Sequence, residues 1–370
     1  MKKLGFGLMR LPKTDPDDNS SIDIAEFCRM ADEFINGGFT YFDTAYMYHD
    51  GKSEEALREA VVRRHPRDSF TIADKLPVWI LKEAEDMEKV FSEQLKRCGT
   101  DYFDYYLLHS LNKRHVELAE EFGAFKFIAD KKAAGLVRHI GFSFHDTAET
   151  LNEILTSHPE MEFVQLQINY LDWESENVQS RKCYETARRH GKSVIIMEPV
   201  KGGDLAGAPP EAEKLLRERE PNMSVASWAV RFAAGLDGVI TVLSGMSNMT
   251  QLRDNMSYMS NFTPLSEDDV SVLMSTISIR SKAAVPCTSC EYCVEGCPEG
   301  IAIPKFLALY NSASRKGFAN LGRERKECLE LCEKGAPASA CISCKSCEEV
   351  CPQRISITEF LHNTAELLEC

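Results

Sequence analysis

From residue 4 to about residue 260, short apolar runs alternate with longer stretches whose apolar positions recur every three to four residues. The short runs predict strands at 4–9, 39–43, 70–74, 105–108, 139–143, 163–168, 194–197 and 239–243. Between them the helical period is clear. In the first, Ile24, Phe27, Cys28, Ala31, Phe34 and Ile35 fall on one face. Further helices are predicted at 53–64, 81–97, 116–132, 148–155, 177–190, 225–234 and 250–259. Strands and helices that alternate predict a parallel sheet covered by helices. Eight such units over about 260 residues have the size of a closed (β/α)8 barrel. A doubly wound open sheet is the second reading, disfavoured because no G-x-G-x-x-G opens a helix after a strand and Gly5-Phe6-Gly7 is too short a match. One more helix is predicted at 268–280, after which the pattern changes. A boundary near Ser281 therefore divides a barrel domain, 1–280, from a small domain, 281–370.

The change is one of cysteine content. Cys287, Cys290, Cys293 and Cys297 read C-x2-C-x2-C-x3-C and run into Pro298; Cys341, Cys344, Cys347 and Cys351 repeat the pattern and run into Pro352. A cubane iron–sulfur cluster needs four thiolates, of which a tight loop supplies three, and in this pattern the fourth cysteine of each run ligates the other cluster. The expectation is two [4Fe-4S] clusters, one on Cys287, Cys290, Cys293 and Cys351, the second on Cys341, Cys344, Cys347 and Cys297. Structural zinc favours paired C-x2-C motifs, and disulfides require export, so both fit less well. The segment resembles a bacterial two-cluster ferredoxin. Its long inter-motif stretch, with Ile303, Phe306, Leu307 and Tyr310 on one face and Cys328, Leu331 and Cys332 on another, is similar to the mostly α-helical dicluster ferredoxin modules. Cys328 and Cys332 lie one helical turn apart and read as buried packing rather than as a third metal site.

Composition narrows the partners. Forty-three basic against 57 acidic side chains leave a net charge of −14, which argues against nucleic acid and anionic membrane surfaces. No apolar run reaches the length of a spanning helix, about 18 residues, and the first residues lack a signal-peptide core. A cytoplasmic protein is the expectation, in keeping with reduced thiols.

Active sites of (β/α)8 barrels gather at the C-terminal ends of the strands. Those ends carry Asp43 and then Tyr48 after the second strand, Lys75 after the third and His109 after the fourth. A phenol ordinarily ionises near pH 10, but a neighbouring ammonium favours its anion. A carboxylate can hold that ammonium, and an imidazole can orient a carbonyl oxygen. Together they make an acid that protonates an alkoxide as hydride reaches carbon. The run from Gly38 to Tyr48 (GFTYFDTAYMY), Lys75, and His109 in DYYLLH resemble the signature of the aldo-keto reductases, which fold as TIM barrels. The resemblance covers most of residues 1–265. It implies that Tyr48 is the general acid, that Lys75 and Asp43 tune it, that His109 positions the carbonyl, and that NAD(P)H is the hydride source.

The same resemblance places the cofactor. Ser143 and Gln165 match residues that hold the nicotinamide carboxamide, and Met197 stands where an aromatic ring usually stacks. Lys201 faces either the pyrophosphate or solvent. Ser244, Gly245, Met246, Gln251 and Asn255 align with the adenosine-phosphate loop. Phe144 replaces the usual asparagine. The basic residues that usually grip a 2′-phosphate correspond to Gly245 and Gln251, with Arg253 the cation nearest in sequence, so NADH use is compatible with the pattern. Trp79 is a candidate for the substrate pocket wall. The function implied is nicotinamide-dependent reduction of a small carbonyl compound or oxidation of an alcohol, with clusters that relay electrons, for instance to a redox partner protein, or serve structure. The alternative is a nicotinamide-binding regulatory or electron-transfer subunit with little carbonyl turnover.

Overall fold

The computed structural model describes residues 2–280, 285–315 and 321–369; the expected boundary at Ser281 lies outside them. Eight parallel strands close a barrel in sequence order: β1 Leu4–Gly7, β2 Tyr41–Asp43, β3 Thr71–Leu76, β4 Phe103–Leu111, β5 Val137–Phe144, β6 Phe163–Gln167, β7 Ser193–Met197 and β8 Val239–Gly245. β8 returns to β1 with Phe6 opposite Ser244, which closes the sheet and leaves no edge. Every expected strand is present. β3 and β4 run further than expected, so Lys75 and His109 lie within strands rather than after them.

The helices that follow the strands are α1 Ile24–Asn36, α2 Ser53–Leu57, α3 Asp86–Cys98, α4 Lys113–Glu121, α5 Ala124–Ala133, α6 Ala148–Ser157, α7 Ser180–Arg189, α8 Pro210–Arg219, α9 Val225–Ala234 and α10 Met249–Met259. The helix expected at 116–132 is two helices, broken where Gly123 takes a left-handed φ of 71°. α8 has no counterpart among the expected helices.

Two apolar layers hold the barrel. Inside, Tyr41, Ala73, Leu107, Phe163, Ile195 and Leu243 form a packed plug. Gly141 makes room for it: a Cβ there would lie 2.4 Å from the Phe163 carbonyl oxygen. Outside, α1 seats Phe27 and Phe34 edge-on against Phe6 of β1, at centroid distances of 5.6 and 5.5 Å. Asp23 caps α1, its side chain accepting from the Glu26 amide at 2.9 Å.

The chain divides into two compact units. The barrel unit holds Met1–Ser175, Gln179–Val200 and Ala226–Val270; the second holds Glu176–Val178, Lys201–Val225 and Ser271–Cys370. α11 Glu267–Ser275 crosses from the barrel unit into the second, which contains α8 and continues through α12 Ile277–Arg280, α13 Tyr292–Glu295, α14 Ile303–Arg315, α15 Gly322–Lys334, α16 Ser346–Glu349 and α17 Ile357–Leu368. Its core is Ile301, Ile303, Phe306, Leu307, Cys328, Ile355, Ile357, Leu361 and Leu368.

The cysteine-bearing stretches form an internal repeat. In the first run Ser289 and Glu291 have left-handed φ values of 52° and 66°, and in the second Ser343 and Lys345 have 55° and 63°. Three residues past the last cysteine of each run, Gly300 and Arg354 are left-handed too, at 64° and 50°. Each run then buries an isoleucine, Ile301 or Ile355, and starts a long helix, α14 or α17. Three non-glycine residues of one run share positive φ positions with their counterparts or with glycine in the other, a strain that persists where surrounding structure demands it.

Candidate active site and cluster-binding loops

At the mouth of β2 the chain places Asp43, 3% exposed, beside Lys75 of β3, 1% exposed. The Lys75 ammonium donates to Asp43 Oδ1 at 2.6 Å and to the Thr44 carbonyl at 2.5 Å. Burial pushes the Asp43 carboxyl above the usual range, and the Lys75 charge opposes that shift. The ammonium also lies over the Tyr48 ring, 4.9 Å from its centroid. Tyr48 meets the His109 ring edge-on at 6.0 Å. All four residues expected to act together therefore converge, with Lys75 at the centre.

His109 owes its aim to a bulge. The β4–β5 register shifts between Leu108 and Leu111, Ser110 takes a φ of 54°, and its amide donates to Ser143 Oγ at 2.6 Å. His109 is 2% exposed. Burial, reinforced by the charges of Lys75, His145 and His115, holds its imidazole well below the usual histidine range, so it is neutral at neutral pH. Trp79 packs 5.1 Å from His109 and stacks on His115 at 4.9 Å, while His115 Nδ1 pairs with the Ser110 carbonyl at 2.7 Å. Sequence reasoning found Trp79 but missed His115, because nothing in its helical setting on α4 marks it as reaching back to a strand end.

Behind Lys75 stands a second missed group. Glu54, Asp74 and Cys98 are fully buried neighbours, and Arg97 pairs with Glu54 at 3.1 Å. Burial and the charge of Glu54 push the Asp74 carboxyl well up. The Asp74 carboxylate accepts from the Lys75 amide at 2.8 Å, and Gln94 donates to the Lys75 carbonyl at 2.9 Å, so the backbone of Lys75 is pinned from both sides.

Ser143 of β5 and Gln165 of β6 are paired in register and buried. Gln165 Oε1 has no hydrogen-bond partner among the described residues. Ser143 Oγ accepts from Ser110 and keeps its proton to donate. Met197 ends β7, half-buried. Ser244 and Met246 are buried at the end of β8 on either side of Gly245. Asn248 caps α10 by accepting from the Gln251 amide at 3.0 Å, and Gln251 Oε1 returns to the Ser247 amide at 2.7 Å, in the manner of a capping box. Asn255 donates to the Gln251 carbonyl and accepts from Tyr258, so these two amides build the loop. Arg253 is engaged with Glu33 through two bonds of 2.8 and 2.9 Å. Another cation stands closer: Arg10 lays its methylenes on Gly245, whose Cβ would lie 3.0 Å from Arg10 Cδ, and Ser247 Oγ donates to the Arg10 carbonyl at 2.8 Å. Arg10 is 235 residues before Gly245 in the chain (245 − 10), so only closure of β1 on β8 brings it there.

In the second unit the cysteines line two hollows. One is lined by Cys287, Cys290, Cys293 and Cys351, the other by Cys297, Cys341, Cys344 and Cys347. Each hollow thus takes three sulfurs from one run and one from the other. Burial and the neighbouring sulfurs push Cys293 up, and burial with Glu348 pushes Cys347 up to about 11. Asn311 of α14 steadies the approach to the first run, its side chain bonding the Val285 amide at 2.6 Å and carbonyl at 2.9 Å. Lys201 is buried in this unit and donates to Gln353 Oε1 at 3.2 Å; Gln353 lines the first hollow. Gly202, with φ 63°, approaches Thr288 so closely that a Cβ would lie 2.6 Å from its carbonyl oxygen.

Comparison with known proteins agrees with this architecture. Residues 3–277 match the model of the aldo/keto reductase family, and residues 286–356 match that of a 4Fe-4S dicluster domain. An uncharacterized oxidoreductase of Bacillus subtilis, YqkF, is 24% identical over 306 residues, which covers 74% of this chain and 92% of that one. The NAD/NADP-dependent indole-3-acetaldehyde reductase of Schizosaccharomyces pombe is 32% identical over 115 residues, 30% of this chain and 36% of that one. Among solved structures, the holo form of aldo-keto reductase AKR11C1 from Bacillus halodurans superposes with a TM-score of 0.58 at 24% identity, covering 74% of this chain and 91% of that one. An aldo-keto reductase from Klebsiella pneumoniae in complex with NADPH gives 0.56 at 21%, covering 73% and 89%. None of the helices in the described residues is long and apolar enough to cross a membrane. The closed eight-stranded barrel and the match over residues 3–277 show that the chain belongs to the aldo/keto reductase family, and it carries a 4Fe-4S dicluster domain at 286–356.

Proposed function

We propose that this oxidoreductase reduces a small carbonyl compound, or oxidises the corresponding alcohol, with a nicotinamide dinucleotide, and that Asp43, Tyr48, Lys75 and His109 carry the chemistry. The observation that carries the reading is the buried Lys75 ammonium, held by Asp43 at 2.6 Å and poised over the Tyr48 ring at 4.9 Å. When bound, the dinucleotide supplies or accepts the hydride. In the direction of reduction, the Tyr48 hydroxyl passes its proton to the carbonyl oxygen as the C–O π bond opens, leaving an alcohol and a phenolate that Lys75 stabilises. Solvent returns the proton to Tyr48. Neutral His109 donates a hydrogen bond to the same oxygen and fixes which face of the carbonyl is presented.

The residues present fit such a cofactor. Gln165 Oε1, buried without a hydrogen-bond partner among the described residues, matches the carboxamide N–H of a nicotinamide, and Ser143 has a proton for its oxygen. Met197 offers a thioether to the ring face. Ser244, Gly245 and Met246, on the loop shaped by Gln251 and Asn255, and Arg10 above Gly245 suit the adenosine-phosphate end. We assign Lys201 to the surroundings of the first hollow, on its bond to Gln353. The S. pombe relative is named for use of NAD and NADP, and Arg10 makes NADPH acceptable here alongside NADH.

In the second unit we assign one [4Fe-4S] cluster to Cys287, Cys290, Cys293 and Cys351 and the other to Cys297, Cys341, Cys344 and Cys347, within a domain of 281–370 that follows a barrel domain of 1–280 in the sequence. Four sulfurs around each hollow are the donor set a cubane requires. These eight cysteines would hold the clusters, which would supply one-electron chemistry there.

The test is anaerobic oxidation of NADH and of NADPH by the fully iron-loaded protein across a broad panel of aldehydes and ketones. Turnover with at least one class of carbonyl is expected. Tight dinucleotide binding with no turnover anywhere in the panel would overturn the reading in favour of a nicotinamide-sensing subunit.

A further inference from the structure

Outside the two hollows the second unit holds another gathering of metal-ligating atoms. Cys328 and Cys332 stand one turn apart on α15, and Glu369 caps the C-terminus of α17. The two sulfurs and a carboxylate oxygen of Glu369 all lie within 4.8 Å of one another. Cys328 is fully buried, and Cys332 and Glu369 are half-buried. The Cys332 Sγ to Glu369 Oε1 separation is 3.8 Å. In a tetrahedral zinc site, with Zn–S of about 2.3 Å and Zn–O of about 2.1 Å, the same pair stands about 3.6 Å apart and two sulfurs about 3.8 Å apart. The three donors therefore need to close by no more than about 1 Å to share one ion. Ligands at i and i+4 on a helix are a recurring way of presenting two donors to one metal.

The surroundings favour a cation. The Ser339 amide donates to Glu369 Oε1 at 3.3 Å, which orients the carboxylate as outer-shell partners orient metal ligands. The Cys332 thiol donates to the Glu369 carboxylate; a divalent ion in this half-buried crevice would displace the two thiol protons and offset two of the three negative charges of its ligands.

We propose that Cys328, Cys332 and Glu369 form a third metal site, distinct from the iron–sulfur clusters, which binds one zinc ion through two thiolates and a carboxylate with water in the fourth position. The ion ties α15 to the end of α17, where Arg325 already reaches the Leu367 carbonyl at 3.2 Å. A small lobe built of short helices gains from such a staple.

The test uses the full chain, prepared anaerobically with its iron and sulfide content verified. One equivalent of zinc chloride is added, loose metal is removed by desalting, and bound zinc is measured by mass spectrometry and by X-ray absorption at the zinc edge. About one zinc per chain is expected, with two sulfur and two oxygen neighbours. Cys328→Ser/Cys332→Ser with the same iron content should retain none, and Glu369→Gln should hold it roughly tenfold or more weakly. Zinc that washes off the wild type, or that the double variant retains equally, overturns the proposal. An absorption spectrum fitted by four sulfurs does so too, because it would put the ion on the cluster cysteines. The wild-type spectrum and Glu369→Gln decide the matter even if the double variant does not fold.

Discussion

The two units handle buried polar chemistry in opposite ways. In the barrel, Lys75 finds Asp43 and the Thr44 carbonyl, Gln94 finds Tyr106 and the Lys75 carbonyl, and Arg97 finds Glu54 and Glu93, so charge is matched by other protein groups. In the cluster lobe the polar groups that matter are sulfurs facing one another around two hollows; burial, then neighbouring sulfurs, raises Cys293, and burial, then Glu348, raises Cys347. The barrel carries its counter-charges in its own sequence. The lobe leaves that part to metal. A site whose charges are matched by protein groups is complete as it folds, whereas a site that waits for iron ties folding to loading.

The largest expected effect follows from that contrast. Removing iron with a chelator under reducing conditions should expose the amides of 285–315 and 321–369 to hydrogen exchange while those of β1–β8 stay protected. Equal loss of protection in both units would break the comparison.

Next in size is the buried ion pair. Lys75→Met leaves the Asp43 carboxylate without its counter-charge and should destabilise the barrel by about 3–5 kcal/mol in chemical denaturation, and Asp43→Asn added to it should recover much of that. A double variant no better than Lys75→Met would show that the pair does not act as one unit.

The smallest effect is on pH dependence. Burial, helped by the charge of His115, lowers His145 from 6.5 to about 4, and His109 is lowered as well. Below pH 6.5 the unfolded chain takes up protons that these imidazoles refuse in the folded state. Stability is therefore full above pH 6.5 and falls as the pH drops toward about 4. His145→Gln should flatten that slope, measured as the melting temperature of loaded protein from pH 7.5 to 5; an unchanged slope would assign it elsewhere.

Much of this was legible in the residues. Strand runs are legible because buried parallel strands are short and apolar, and the cysteine spacing predicts the grouping of sulfurs that lines each hollow, because a loop of that length reaches only three corners of a cube. Asp43, Tyr48, Lys75 and His109 are legible from their place near strand ends and from the family resemblance, yet the bulge between Leu108 and Leu111 beside His109 has no marker in the sequence. The same holds for Arg10 over Gly245 and for Glu369 beside Cys332, which are brought together by barrel closure and by helix packing across 37 residues of chain. The break at Gly123 was legible in principle, since a glycine inside a long helical period is a natural stop.

The most direct test of the account is the rate of a single anaerobic hydride transfer in fully loaded Tyr48→Phe, followed by the absorbance of the reduced nicotinamide with a carbonyl substrate that the wild type turns over. The variant removes one hydroxyl and leaves the Asp43–Lys75 pair intact. Dinucleotide affinity should be unchanged and the transfer slowed by roughly 10²- to 10⁴-fold. Transfer at the wild-type rate would contradict the assignment of Tyr48 as the proton donor.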